Sequence, residues 1–211
     1  MKYPTIVFAV CSRGMILTDT VEWLLRAQQR FGAYAHFEFT KNQSIPEAQN
    51  VVTEQALAHN PGGVFYIEED MLPPEPGVLI DTMVSEMDSY PVQVIDYPLR
   101  GGTRSVRRDD KGNVLFSGMG CMLVRADVFP VLDKPWFAST AYTIEQDYGV
   151  GRLQLKKGTL SYGGQDIYIS QNLRKHGFTI HVVEGRCRHF MIKEYGQQGV
   201  NNGCHLIEEL K

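Results

Sequence analysis

The sequence has little of several things that mark common protein classes. It carries only four cysteines, Cys11, Cys121, Cys187 and Cys204, spread over 211 residues with no Cys-x-x-Cys pair. That spacing argues against a zinc knuckle and makes reduced thiols the expectation. No apolar run reaches ~18 residues, so no membrane-spanning helix is expected. No signal-peptide pattern precedes the first apolar strand, and a cytoplasmic location is expected, the host cytoplasm if the chain is viral. There is no strongly basic tail, and the formal charge is only -3, which gives no general pull towards nucleic acid. Internal repeats and low-complexity segments are also missing. What remains is 43% hydrophobic residues, enough for a packed core in one sizeable α/β domain and too short a chain for two.

The most informative stretch is Val64-Phe65-Tyr66-Ile67-Glu68-Glu69-Asp70-Met71-Leu72-Pro73-Pro74. Its apolar run reads as a central strand covered on both faces. Three carboxylates cannot stay inside such a strand without partners, so they belong where it surfaces, at its carboxyl end. Open α/β sheets bind ligands at that edge. Two carboxylates one residue apart there suit a divalent ion held against a diphosphate. A solvated acidic turn is the other reading.

The elements around this stretch alternate. Thr5–Val10 reads as a first strand closed by Cys11-Ser12-Arg13-Gly14, a turn where Arg13 suits a phosphate and Ser12 a base or ribose. Thr18–Phe31 reads as a helix with capping-box spacing at Asp19 and Glu22 and an apolar stripe of Val21, Leu24, Leu25 and Phe31. A short strand, Ala35–Phe39, precedes a second helix, opened by a Ser44–Glu47 capping box, running to about His59 and turning Ala48, Val51, Val52 and Leu57 inward. A third helix, Gly77–Met87, and a strand, Val92–Tyr97, come after the acidic stretch. This alternation predicts a mostly parallel sheet with helices on both faces.

The second half is more irregular. Residues 100–113 read as a polar hairpin with a basic cluster, Arg104, Arg107 and Arg108. Ser117-Gly118-Met119-Gly120 leads into a short strand, and glycines there mark a bulge or a close backbone approach. Trp136 suits either a sugar face or the core. Residues 152–158 suit a small hairpin. Tyr162-Gly163-Gly164-Gln165-Asp166 opens a helix, with Asp166 at its positive end. Phe178–Val183 is the last clear strand, and His189 follows soon after it. The glycine-rich segment Tyr195–Gly203 is expected to be mobile, and Cys204–Leu210 is expected to form a terminal helix.

Taken in order, these motifs resemble GT-A fold glycosyltransferases, family-two-like and of the small soluble phage or bacterial type. The acidic stretch stands in the place of their Asp-x-Asp, with Glu68 for the first Asp and Asp70 for the second. Ala48-Gln49-Asn50 is similar to an Ala-Arg-Asn triplet, with the arginine lost. Gly-Gln-Asp stands where the family has Gly-Glu-Asp. The resemblance implies a GT-A-like, Rossmann-like α/β fold: residues 1–100 bind a nucleotide-sugar, 101–190 bind the acceptor, and 191–211 form a tail. It implies a hexosyltransferase-type enzyme with Mn2+ or Mg2+ on Asp70 and His189, and Asp166 as the general base. Asp147 is the next carboxylate in line. Donor contacts then fall on Cys11, Ser12, Arg13, Asn50, Glu68, Glu69, Gly118, Gly120 and Trp136. The expected reaction moves a sugar, with inversion, from a UDP-sugar to an acceptor hydroxyl on a glycan, a small molecule or a modified base in viral DNA. A nucleotidyltransferase and a non-catalytic carbohydrate-binding domain stay open.

Overall fold

The structure is a computed structural model of the chain, and it describes residues 3–41, 43–99, 102–143, 148–150, 153–155, 158, 160–195 and 204–210. Asp147 lies outside them. The α/β class expected from the sequence stands, with a mostly parallel central sheet flanked by helices and small antiparallel sheets beside it. The first half runs β1 (Ile6–Ser12), α1 (Thr18–Phe31), β2 (Ala35–Lys41), α2 (Ile45–Leu57), β3 (Gly63–Glu68), β4 (Met71–Leu72), α3 (Pro76–Glu86) and β5 (Val92–Val94). The second half adds β6 (Val106–Arg108), β7 (Val114–Ser117), β8 (Cys121–Arg125), β9 (Thr140–Thr143), β10 (Tyr148–Val150), β11 (Leu153–Leu155), β12 (Leu160–Gly163), α4 (Gln165–Lys175), β13 (His181–Val182), β14 (Arg188–Tyr195) and β15 (Cys204–Glu209).

Six strands form the central sheet in the order β13-β5-β8-β3-β1-β2. β1 pairs in parallel with β2 and β3, and β13 pairs in parallel with β5. β8 alone runs against its neighbours, β3 and β5. Period-two alternation sends side chains of β1 and β3 to opposite faces. Ile6, Phe8, Val10, Phe65 and Ile67 pack with α1 and α3 through Trp23, Leu24, Leu79, Ile80 and Met83. Val7, Ala9, Val64 and Tyr66 pack on the other side with Val52, Ala56, Phe129, Phe137 and Leu173. Burial on both faces is why the strands read as unbroken apolar runs.

Several local expectations are corrected. The side chains that start α1 and α2 make no capping hydrogen bond, and the residue before α1 is Leu17, not Asp19. In α1 the buried side is Thr20, Trp23, Leu24, Ala27 and Phe31, while Val21 and Leu25 are exposed. In α2 the buried residues are Ala48, Gln49, Val52, Thr53 and Ala56. Thr20 is buried because its hydroxyl donates to the Met71 carbonyl, and Gln49 lines a cavity beside the first strand's turn. The strand expected over Phe178–Val183 shrinks to His181–Val182. The hairpin expected to turn at residues 156–158 instead pairs β11 with the preceding β10. The expected terminal helix is a strand: β15 pairs antiparallel with β14, with Ile192 opposite Ile207 and Phe190 opposite Glu209. His205, Leu206 and Ile207 give a short run that suits either state, and the available edge of β14 decides it.

Gly118 and Gly120 allow a close approach, but the approaching group is a side chain. A Cβ on Gly118 would lie 2.2 Å from the Tyr97 hydroxyl, and one on Gly120 2.8 Å from it. The Gly120 N–H donates to that hydroxyl at 2.9 Å. Tyr97 is itself 2% exposed and has nowhere to move. Gly118→Ala is therefore expected to destabilise the fold by about 1–3 kcal/mol through overpacking. Urea denaturation checks this; an unchanged midpoint would show that Tyr97 yields freely.

Candidate metal and nucleotide site

β3 surfaces at Glu68, and the β1–β3 register sets Cys11 beside it. The backbone beyond is fixed from two sides. From α1, the Leu17 N–H donates to the Glu69 carbonyl at 2.9 Å, the Thr20 hydroxyl to the Met71 carbonyl at 2.8 Å, and the Trp23 indole N–H to the Pro74 carbonyl at 2.6 Å. From the other side β14 pairs antiparallel with β4, placing His189 opposite Met71, and the Phe190 N–H donates to the Asp70 carbonyl at 2.9 Å.

These contacts bring Glu68, Asp70 and His189 together: one ligand atom from each lies within 4.8 Å of the others. The His189 ring stands edge-on to Tyr97. Its Nδ1 lies 2.9 Å from the Pro98 carbonyl, which can only accept, so Nδ1 carries a hydrogen and Nε2 is left for the acids or a cation. Nε2 is 3.7 Å from Asp70 Oδ1. Burial, followed by repulsion from Asp70, pushes the Glu68 carboxyl up to about 7, with a further contribution from the Asp166 charge. Burial alone would lower the His189 imidazole, but Asp70, the Pro98 carbonyl and Glu68 hold it above its ordinary value. A cluster that resists its own negative charge gains from a cation. Two carboxylates and one imidazole are a donor set that fits manganese, and oxygen-rich sites also suit magnesium.

The other expected site residues divide. Arg13 reaches this edge: its guanidinium Nε pairs with Glu69, its backbone N–H donates to Glu69 Oε2 at 2.6 Å, and its Nη2 lies 3.4 Å from Asp70 Oδ2. Glu69, 4% exposed, is thus taken up by Arg13 and holds that arginine at the mouth of a cavity. The cavity is about 190 Å³ and is bounded by Cys11, Arg13, Ile45, Gln49, Glu68 and Asp70. Ser12 also lines it, though its hydroxyl is engaged in the local turn, donating to the Met15 carbonyl and accepting from the Gly14 N–H. Burial pushes the Cys11 thiol up to about 11, so it is a neutral wall.

Asn50 and Trp136 serve packing. The Asn50 amide pairs with the Phe137 backbone, donating to its carbonyl at 2.7 Å and accepting from its N–H at 3.2 Å. Trp136 is 4% exposed, stands edge-on to Phe129 and donates to the Phe129 carbonyl at 3.0 Å. A ring so covered does not offer its face to a sugar. Gly118 and Gly120 face Tyr97 as described. Asp166 is half-buried in the first turn of α4 and accepts from the Ile167 N–H at 2.9 Å. A helix start was expected to lower its proton affinity. Burial outweighs the backbone hydrogen bonds, and the carboxyl is raised. Of the basic cluster, Arg104 pairs with Asp96 at 2.9 Å.

Sequence reasoning missed the Pro98 carbonyl, Tyr97 and Gln49. The first is backbone and leaves no side-chain signal. Gln49 had one signal, an amide where the resembling triplet has a cation.

No family model and no curated protein matches the sequence. Among solved structures, A197 from STIV superposes with a TM-score of 0.62 at 15% identity, over 89% of this chain and 86% of that one. That likeness shows a shared fold. GalNAc-T7, solved with UDP, GalNAc and Mn2+, gives a TM-score of 0.49 at 11% identity, over 89% of this chain and 44% of its own. A Bacillus anthracis protein assigned as a glucose-1-phosphate thymidylyltransferase gives 0.42 at 11% identity, over 86% of this chain and 69% of its own.

The raised groups set the pH dependence of the metal-free protein. Glu68, His189 and Asp166 all bind protons more tightly folded than unfolded. Their contribution to stability is present at low pH and is lost as pH rises, for Glu68 between its ordinary value of 4.5 and about 7. The metal-free melting temperature is therefore expected to fall from pH 5 to pH 7.5, and Mn2+ to raise it more at pH 7.5 than at pH 5. Glu68→Gln should flatten the first trend. A melting temperature that climbs over this range without metal would contradict the arrangement.

Proposed function

We propose that the chain is a metal-dependent glycosyltransferase of GT-A-like fold, transferring a hexose from a nucleotide-sugar, a UDP-sugar first among them, to an acceptor hydroxyl. One observation carries this reading: Glu68, Asp70 and His189 converge at the carboxyl edge of parallel strands, beside a cavity that Arg13 flanks. Asp70, His189 and Glu68 would hold Mn2+ or Mg2+, which when bound neutralises charge on the donor diphosphate. Arg13, anchored by Glu69, supplies a second positive group on the same side. Asp166 takes the acceptor proton. Its raised proton affinity suits that task better than that of an exposed aspartate, and its charge is felt at Glu68, so it belongs to the same electrostatic neighbourhood. In the balanced reaction the acceptor oxygen forms a bond to the anomeric carbon, the bond from that carbon to the diphosphate oxygen breaks, and the proton goes to Asp166. Configuration at the anomeric carbon inverts. The acceptor is a glycan, a small molecule or a modified base in viral DNA. The last would use the hairpin arginines Arg104, Arg107 and Arg108 against phosphates.

The test is release of nucleoside diphosphate from a panel of nucleotide-sugars with Mn2+, beginning with UDP-glucose. Asp70→Asn is expected to abolish it with the fold retained, and His189→Ala to weaken it less because water replaces one ligand. Full turnover by Asp70→Asn in EDTA would refute the metal assignment. Asp166→Asn should lower transfer by ~10²-fold while leaving nucleotide affinity and melting temperature near normal. Formation of a nucleotide-sugar from a nucleoside triphosphate and a sugar phosphate would instead assign a nucleotidyltransferase.

A further inference from the structure

Among the described residues Cys11, Cys121 and Cys187 carry free thiols, and the last two meet. Cys121 is 0% and Cys187 2% exposed, and both belong to the core cluster on the α1 side of the sheet. Their side chains lie within hydrogen-bonding reach of each other, so a sulfur–sulfur bond needs only a small adjustment. Free cysteine packs like any small apolar residue, and what sets it apart is its chemistry. Neither thiol has a part in the metal or acceptor chemistry proposed above.

The two sulfurs stand on different parts of the fold. Cys121 opens β8 in the middle of the central sheet, opposite Ile67, and its carbonyl accepts from the Ile95 N–H at 3.1 Å. Cys187 lies between β13 and β14, just before β14 begins and close ahead of His189. A bond between them would tie the strand that carries His189 to the sheet that carries Glu68. The ladder that sets β14 against the acids is short, only Arg188 with Leu72 and His189 with Met71.

The thiols also differ in access. Cys187 forms part of the wall of a cavity of about 460 Å³. Pro98, whose carbonyl holds His189, lines the same cavity. So do two ion pairs, Arg104 with Asp96 at 2.9 Å and Arg186 with Glu209 at 3.5 Å. Cationic side chains beside a sulfur that a small molecule can reach are the surroundings of reactive thiols. Cys121 is outside that wall and fully buried.

We propose that Cys121 and Cys187 are a redox-active dithiol: a small peroxide entering this cavity joins them in a disulfide that locks β14 onto the central sheet. The Cys187 sulfur attacks one peroxide oxygen and the O–O bond breaks. Water leaves with the thiol proton, and Cys187 becomes a sulfenic acid. The Cys121 sulfur then attacks the Cys187 sulfur, the S–O bond breaks, and the departing hydroxide takes the Cys121 proton as a second water. Two thiols are oxidised, one peroxide is reduced to two waters, and a dithiol reductant reverses the step. A disulfide made from ordinarily reduced thiols is of the transient, redox-sensing type. The lock acts on the fold, whatever group the acid cluster serves to transfer.

The test treats the full, folded, metal-free chain with hydrogen peroxide, alkylates the remaining thiols and maps disulfides in a tryptic digest. A crosslink between the Cys121 and Cys187 peptides is expected. Closing a loop of ~65 residues should raise the melting temperature by roughly 5–10 °C, and dithiothreitol should return it to its starting value. Amide hydrogens of β14 should exchange about ten-fold more slowly in the oxidised protein. Cys121→Ala should leave Cys187 as a sulfenic acid that dimedone traps, while Cys187→Ala should leave Cys121 unoxidised. Neither variant should gain stability with peroxide. If a variant does not fold, the mapped crosslink and the melting shift of the unaltered chain decide alone. Thiols that stay free under peroxide, a crosslink that involves Cys11 or Cys204, or a Cys121–Cys187 crosslink that neither raises the melting temperature nor slows exchange in β14 would each overturn the proposal.

Discussion

The site depends on one short pairing, β14 against β4. β4 is only Met71–Leu72, and two residue pairs would be a weak ladder alone. It is made firm because α1 fixes the same backbone from the opposite side through Leu17, Thr20 and Trp23. Strand register has a period of two, so a one-residue slip would turn the His189 side chain to the opposite face. The three hydrogen bonds from α1 and the one from Phe190 to Asp70 therefore set the chemistry as much as the acids do. Positioning of this kind resides in backbone groups and in neutral side chains some distance from the charged cluster.

The second constraint is electrostatic. Glu68, Asp70 and Asp166 share one neighbourhood, and among the described residues the positive groups acting on Glu68 are His189 and Arg13. Arg13 is largely committed to Glu69, which leaves the remaining acids short of positive charge. Holding such groups close costs stability unless protons or a cation accompany them. Residues that disturb a fold in this way are what a binding site requires, since a ligand that relieves the disturbance gains affinity from it.

Much of this was legible in the sequence because it follows from periodicity. The apolar run before Glu68, the alternation of strands and helices, and the place of the acids at a strand end were all readable. So was the convergence of Asp70 and His189, through the resemblance rather than through spacing. The buried faces of α1 and α2 were misread because Thr20 and Gln49 are polar, and one-dimensional polarity does not tell a solvated group from one aimed at a backbone carbonyl or a cavity. Trp136 and Asn50 show the reverse. Both carry residue types common in sugar sites, yet their polar atoms are used on the Phe129 and Phe137 backbones. The C-terminal strand was misread because β15 forms on an edge supplied by β14, a tertiary condition that no local propensity encodes.

The residues of the candidate cluster are separated by more than half of the 211-residue sequence, Glu68 and Asp70 on one side and His189 on the other. During synthesis the first parallel strands and their helices are complete long before the histidine leaves the ribosome. Through that interval the acids have no imidazole opposite them and no β14 to hold their loop. A cation held by all three groups would reward only a polypeptide that has reached His189, because closing so long a loop precedes any gain from the contacts it makes. The candidate metal geometry thus waits for β14, and a chain truncated before His189 would retain the acidic loop without the site.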